Sequence, residues 1–281
     1  MSDIIVERGV EFCKHDGAAL AGDRYKPGAG SKHPVVVALH GGAWQNGGPE
    51  RYRYWGRWLA ARGYATFSAT YRLVKPGVKR WPDALHDCRA AVQFIRGNAE
   101  RFGLDGARIA MIGDSAGAHL AAMVALAGDR PEFAGAYPTD PHAKQSTNVK
   151  AVCGVYGVYD MAAQWEHDQL HRPSDQITEK VLGLQLPDSR RAFFDASPIS
   201  YCTRDNNQTA FLIAWGTDDD IVDHNTQSQP FLRALKQAGT FARPVILQGA
   251  PHFWMDEPID EVASVSGYLA PRFQRFLEMK L

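Results

Sequence analysis

The sequence has little of what marks an exported, membrane-embedded or nucleic-acid-binding chain. Its four cysteines (Cys13, Cys88, Cys153 and Cys202) lie far apart among 281 residues and form no Cys-x-x-Cys pair. Reduced thiols in a cytoplasmic protein are the reading this spacing supports. No apolar run approaches the roughly 18 residues of a membrane-spanning helix. The N-terminal stretch MSDIIVERGVEF lacks the basic-then-apolar layout of a signal peptide, so none is expected. Neither sign of charge is in excess: 31 Lys plus Arg balance 31 Asp plus Glu. A nucleic-acid footprint or a polybasic membrane patch needs a basic surplus, so neither partner is expected. Internal repeats and low-complexity segments are absent as well.

What is present is a soluble composition, 45% hydrophobic and 22% charged, in a chain long enough for one large core. A single domain over residues 1–281 is expected. Short apolar runs alternate with amphipathic stretches, the pattern of βα units on a mostly parallel sheet flanked by helices. Strands are predicted at 35–39, 65–69, 109–112, 151–156, 211–215 and 245–247. Pro82 suits the first turn of a helix whose stripe (Leu85, Cys88, Val92, Ile95, Ala99, Phe102) runs to Gly103. A last helix is expected from about Asp260, with Val262, Val265, Leu269, Phe273, Phe276 and Leu277 on its inner face. Between two predicted strands, residues 158–204 are rich in charge, aromatics and proline. We read this stretch as a cap insertion over a site, with an ordinary surface excursion as the alternative.

The chemistry begins at Gly113-Asp114-Ser115-Ala116-Gly117, between a predicted strand and an alanine-rich helical stretch. Gly-x-Ser-x-Gly at such a junction forms a sharp turn that lifts the serine hydroxyl above the sheet, and the glycines let the chain double back. The helix start directs backbone N–H groups at developing negative charge. Leu39-His40-Gly41-Gly42-Ala43-Trp44, after an earlier strand, is a second such place. There the missing side chains let N–H groups approach an oxyanion. Gly42 and Ala43 are the preferred donors with Ala116 as the third, and Gly41 could replace one of them. His40 is read as bracing the loop. Trp44 is read as a substrate-contacting wall, with plain packing as the alternative. Farther on, the strand ending at Trp215 runs into Gly216-Thr217-Asp218-Asp219-Asp220, where a carboxylate can orient an imidazole. His252 follows the last predicted strand.

The segments HGGAW, ATYRL, GDSAGAHLAA, SPI, GTDDDIV and GAPHFW resemble the α/β-hydrolase-fold serine esterases. They are similar above all to the group of hormone-sensitive-lipase-like esterases, acetylxylan and feruloyl esterases, and arylformamidases. The resemblance extends over nearly the whole chain. It implies an α/β-hydrolase fold and the chain order Ser, Asp, His, with the nucleophile at Ser115 and the base at His252. The acid is implied three residues after Gly216, at Asp219. Asp218 and Asp220 are near misses and Asp223 is a weaker candidate. The chain departs from the group's pattern in three places. Trp215-Gly216 stands where His-Gly is common, Ala118 stands where a second glycine often ends the elbow, and Ala43 stands where arylformamidases tend to carry tyrosine. The implied activity is cleavage of a small carboxylic ester through an acyl-enzyme, with neither metal nor organic cofactor. The alternatives are an arylformamidase-type amide hydrolase and a non-catalytic ligand-binding protein on the same scaffold. The oligomeric state is left open, a homodimer included.

Other polar residues have blander readings. His167 and His171, one helical turn apart, lack a third ligand for zinc and are read as a solvated cap helix. His119 is assigned to packing without catalytic duty, and Asp114 to structural hydrogen bonding. His86 and Asp87 are expected on the exposed side of their helix.

Overall fold

A computed structural model describes residues 3–75, 78 and 81–281. In chain order the strands are β1 (Ile4–His15), β2 (Ala18–Pro27), β3 (His33–Leu39), β4 (Ala65–Ala69), β5 (Leu104–Asp114), β6 (Ala151–Val155), β7 (Ala210–Gly216) and β8 (Ala242–Leu247). They form an eight-stranded sheet in the order β1-β2-β4-β3-β5-β6-β7-β8. From β4 to β8 every pairing is parallel, and β1 and β2 join antiparallel at one edge.

The helices are α1 (Arg53–Ala60), α2 (Asp83–Gly97), α3 (Ala99–Phe102), α4 (Ala116–Ala127), α5 (Pro131–Ala134), α6 (Met161–His171), α7 (Ile177–Leu182), α8 (Arg190–Asp195), α9 (Ser228–Gln237) and α10 (Val265–Lys280). Side chains alternate across a strand, so β3 sends Val35, Val37 and Leu39 into one core with α2 and α4. Val36 and Ala38 enter a second core with α1 and α10. Both faces being covered explains why the central strands read as continuous apolar runs. Every residue of α4 is buried, as its apolar composition requires.

All six predicted strands are present, with boundaries shifted by a few residues. The β1–β2 hairpin escaped sequence reading. Glu7, Arg8, Glu11 and Lys14 interrupt β1, and its register shifts between Glu7 and Val10 around a left-handed Gly9. An edge strand half open to solvent carries no continuous apolar run. The stripe from Leu85 to Phe102 is two helices, α2 and α3, and Gly103 (φ +70°) ends the second. The last helix starts at Val265, later than expected. There the Ser264 hydroxyl accepts the Gly267 N–H at 3.0 Å, leaving Val262 wholly exposed outside the packed stripe.

His86 and Asp87 correct a second expectation. Asp87 is fully buried and bonded to His15 of β1 and to Arg72 after β4. His86 is half-buried, and burial together with the nearby Arg89 charge lowers its pKa to about 4. The N-terminal hairpin covers this side of α2, and without it the pair reads as solvent-facing.

Candidate active site

Strand register brings the motifs together. Leu39 at the end of β3 pairs with Gly113 of β5, Asp114 pairs with Val155, and Gly216 at the end of β7 pairs with Leu247 of β8. The loops that follow these five parallel strands leave the same edge of the sheet. Chain order reverses beside β3, between β4 and β5, and such a crevice at the carboxyl ends of strands is where α/β sheets bind ligands.

Ser115 sits between β5 and α4 with φ +51° and ψ −119°, a backbone region most side chains avoid. Its N–H donates to the Val155 carbonyl at 2.9 Å, and its carbonyl accepts the His119 N–H at 3.1 Å. The flanking glycines are needed for space: a Cβ on Gly117 would strike the Leu39 carbonyl, and one on Gly113 would strike the Gly117 carbonyl. Asp114 beside the serine is structural. Its Oδ1 accepts the Gly41 N–H at 3.0 Å and the Tyr52 hydroxyl at 2.9 Å. Burial raises its pKa, against the pull of those hydrogen bonds.

His252 Nε2 lies 3.1 Å from Ser115 Oγ, and its Nδ1 lies 2.7 Å from Asp219 Oδ2. An ionised carboxylate only accepts. The ring hydrogen is therefore on Nδ1, and Nε2 is free to accept the serine proton. The other oxygen of Asp219 accepts the N–H groups of Ile221 and Val222 at 3.0 and 2.9 Å. Asp218 and Asp220 are exposed, and Asp223 serves a local turn with Asn225. Of the acidic candidates, only Asp219 reaches the imidazole. The histidine loop is pinned to the acid loop by Asp218 N–H to Ala250 O (3.1 Å), and from below by the Trp55 indole N–H to Met255 O (3.0 Å).

The glycine loop takes an unusual path. Gly42, Ala43 and Trp44 have φ of +117°, +52° and +59° in succession. The Gly42 carbonyl accepts from Gln45 and Asn46, closing a tight turn. The Gly41 N–H is engaged by Asp114, which removes Gly41 as a reserve oxyanion donor. Gly42 and Ala43 head this turn beside the serine helix, and Ala116 is the first residue of α4, where N–H groups have no partner within the helix. His40 braces the loop as expected. Its ring stacks on Tyr71 at 4.4 Å, its Nδ1 is 2.8 Å from the Gly41 carbonyl, and burial lowers its pKa to about 4.

Trp44 is fully buried, and its indole N–H donates to His119 Nδ1 at 3.2 Å, so its side chain packs inward. Two rings lie against His252, Phe253 of the GAPHFW segment and Tyr156, which no motif announced. Tyr156, just past β6, is 4.3 Å from it, and Phe253, 62% exposed, is 4.5 Å from it. Position after a strand end is the one signal that could have pointed to Tyr156.

Residues 158–204 form α6, α7, α8 and a turn of 3-10 helix, packed against the acid loop. Gln164 of α6 donates to the Ile221 carbonyl at 3.0 Å, and His167 Nε2 is 3.1 Å from the Asp220 carbonyl. The rings of His167 and His171 are 4.8 Å apart. No cluster of three or more potential metal ligands occurs among the described residues.

A family model, BD-FAE, matches residues 23–235, well over half of the chain. The chain belongs to the BD-FAE family. The matched stretch holds the glycine loop, the elbow and the acid loop of this BD-FAE protein, while His252 lies beyond it. The esterase LipC of Mycobacterium tuberculosis is 33% identical over 208 residues, which is 72% of this chain and 48% of LipC. The esterase LipQ of the same organism is 31% identical, covering 75% of this chain and 47% of LipQ. The chain thus spans about half the length of the curated relatives it matches. Among solved structures, the butyrate-bound form of the Thermogutta terrifontis esterase Est2 superposes with a TM-score of 0.78 at 24% identity, covering 99% of this chain and 94% of Est2. A truncated carbohydrate esterase from gut microbiota gives 0.77 at 20% identity, covering 98% of this chain and 96% of that one. The fold of this BD-FAE member is that of the α/β-hydrolases.

Proposed function

We propose that the protein is a serine carboxylesterase acting on a small ester. One observation carries the reading: the unbroken hydrogen-bonded line from Ser115 through His252 to Asp219, at 3.1 and 2.7 Å, with the serine on a strained turn at the edge of a parallel sheet. The names of the relatives LipC and LipQ, both esterases, support it.

In this mechanism Ser115 Oγ attacks the ester carbonyl carbon while its proton passes to His252 Nε2. Asp219 keeps the ring hydrogen on Nδ1 and stabilises the imidazolium that forms. The carbonyl oxygen becomes an oxyanion held by the N–H groups of Gly42, Ala43 and Ala116. Collapse breaks the bond to the leaving oxygen, and His252 hands it the proton, releasing the alcohol. Water then attacks the acyl-serine, gives its proton to His252, and leaves with the acyl group as the carboxylic acid. Serine recovers its proton, and no cofactor enters the balance. Residues 158–204 act as the cap that shapes the acyl pocket. A cytoplasmic location belongs to the same reading, supported by four cysteines present as free thiols, three of them buried.

The test uses short-chain p-nitrophenyl esters, an aryl formamide and a fluorophosphonate, with wild type beside Ser115→Ala. Wild-type ester turnover and stoichiometric labelling, both abolished in the variant, are expected. A formamide turned over faster than every ester would move the assignment to an amide hydrolase. Neither turnover nor labelling in wild type would leave a binding protein.

A further inference from the structure

The glycine loop poses a physical problem. Gly42, Ala43 and Trp44 follow one another at positive φ, two of them with side chains, which strains the backbone there. Backbone of this kind persists only where its surroundings over-determine it. Trp44 is where the fastening concentrates. Its carbonyl accepts the Val74 N–H at 2.8 Å, and its indole N–H donates to His119 Nδ1 at 3.2 Å.

His119 is placed to do more than fill space. It lies on α4 one turn beyond Ser115, whose carbonyl accepts its N–H. Its Nε2 is 2.8 Å from the Ala196 carbonyl, next to the 3-10 turn of the 158–204 segment. Because an indole nitrogen only donates, Nδ1 must be the acceptor. Because a carbonyl only accepts, Nε2 must carry the hydrogen. The two partners thus select one neutral tautomer. The ring is fully buried, with Trp81 packed against it at 5.5 Å. Burial lowers its pKa to about 4, in keeping with a ring that stays neutral.

Building on the esterase reading above, we propose that His119 is a positioning residue for the reaction. As the Nε2–H imidazole it ties the oxyanion loop, through Trp44, to the helix that carries the nucleophile, and it ties both to the cap through Ala196. It touches no reacting atom. Its work is to fix the distance between the loop's N–H groups and Ser115 Oγ before substrate arrives. Donors already in place are what an oxyanion site requires, and a misplacement of about 1 Å can cost roughly a hundredfold in rate.

The experiment compares wild type with His119→Leu, His119→Gln, Trp44→Phe and the Leu/Phe double variant. Each is assayed for kcat and KM on a short-chain p-nitrophenyl ester, for inhibition by an aryl trifluoromethyl ketone, and for thermal midpoint. Wild-type turnover and fluorophosphonate labelling test the esterase reading by themselves, and the variants test the clamp. His119→Leu and Trp44→Phe are expected to lose roughly tenfold to a hundredfold in kcat with KM within about twofold. Affinity for the ketone, which forms a tetrahedral oxyanion adduct, falls in parallel. The double variant loses no more than the worse single one, because both break the same link. Gln can accept at one amide atom and donate at the other, so His119→Gln recovers most of kcat. Should His119→Leu fail to fold, Trp44→Phe and His119→Gln carry the comparison. An active wild type whose folded variants keep kcat, lose it additively, or change KM alone would overturn the clamp and leave the esterase reading standing.

Discussion

The Ser115 edge of the sheet and the N-terminal hairpin each hold a buried imidazole with a carboxylate at Nδ1, and they differ at the other nitrogen. His252 meets Asp219 at 2.7 Å and the Ser115 hydroxyl at 3.1 Å. His15, the last residue of β1, meets Asp87 at 2.6 Å and Asp140 at 2.8 Å, with the Tyr137 ring stacked on it at 3.6 Å. Arg72 completes that second cluster through Asp87 and Asp16. Two carboxylates, which only accept when ionised, favour hydrogens on both ring nitrogens and so the charged form of His15. Burial opposes its charge, but the hydrogen bonds and charges of Asp87 and Asp140 outweigh burial and raise its pKa above the ordinary 6.5. His252 has a hydroxyl at Nε2 where His15 has its second carboxylate. One partner atom separates the two imidazoles.

The comparison can be broken at several points. Asp219→Asn disturbs the tautomer of His252 and is expected to lower kcat by roughly 10⁴-fold, while Asp218→Asn and Asp220→Asn, both at exposed positions, change it by less than about threefold. Steady-state kinetics on one ester decides this, and equal losses at the three positions would sink the choice of acid.

Asp87→Asn makes the matching change in the hairpin cluster. It leaves a buried cation short of its partner and is expected to cost about 3–5 kcal/mol of folding stability in denaturant titrations, with kcat nearly unchanged. A large loss of kcat in the folded variant would show the two regions to be coupled. Asp140 is partly solvent-exposed, so Asp140→Asn should cost less, about 1 kcal/mol.

The smallest effect is on pH dependence. His15, with its raised pKa, contributes stability fully below pH 6.5, and that contribution is lost as pH rises through its folded value. His40, His86 and His119, lowered to about 4, act in the opposite sense: stability falls as pH drops from 6.5 toward 4. These histidines together place maximum stability near pH 6.5. His15→Gln should flatten the alkaline side of a stability-versus-pH curve, and His119→Gln should soften the acid side. Unchanged slopes in both would refute the assigned charge states.

Much of this was legible without coordinates. The central strands declare themselves by short β-branched runs, because strands covered on both faces need apolar residues at every position. The elbow and the glycine loop are legible because their demands are local: a Cβ on Gly113 or Gly117 has no room. What stayed hidden depends on partners far away in the chain. The β1–β2 hairpin lacks a clean alternation, since one edge faces water. The inward turn of Asp87 depends on His15, 72 positions earlier.

By itself, then, the sequence determined the order of the strands' motifs and the places of Ser115 and His252 just past strand ends, because turn sterics and apolar period act over a few residues. Tertiary structure decided which of three adjacent aspartates reaches His252 across 33 positions. It also decided that Asp114 takes the Gly41 N–H, and that the Trp44 indole N–H reaches His119 across 75 positions. Burial, tautomer and hydrogen-bond partnership are properties of a neighbourhood, and in this protein the neighbours are assembled by the register of the parallel sheet.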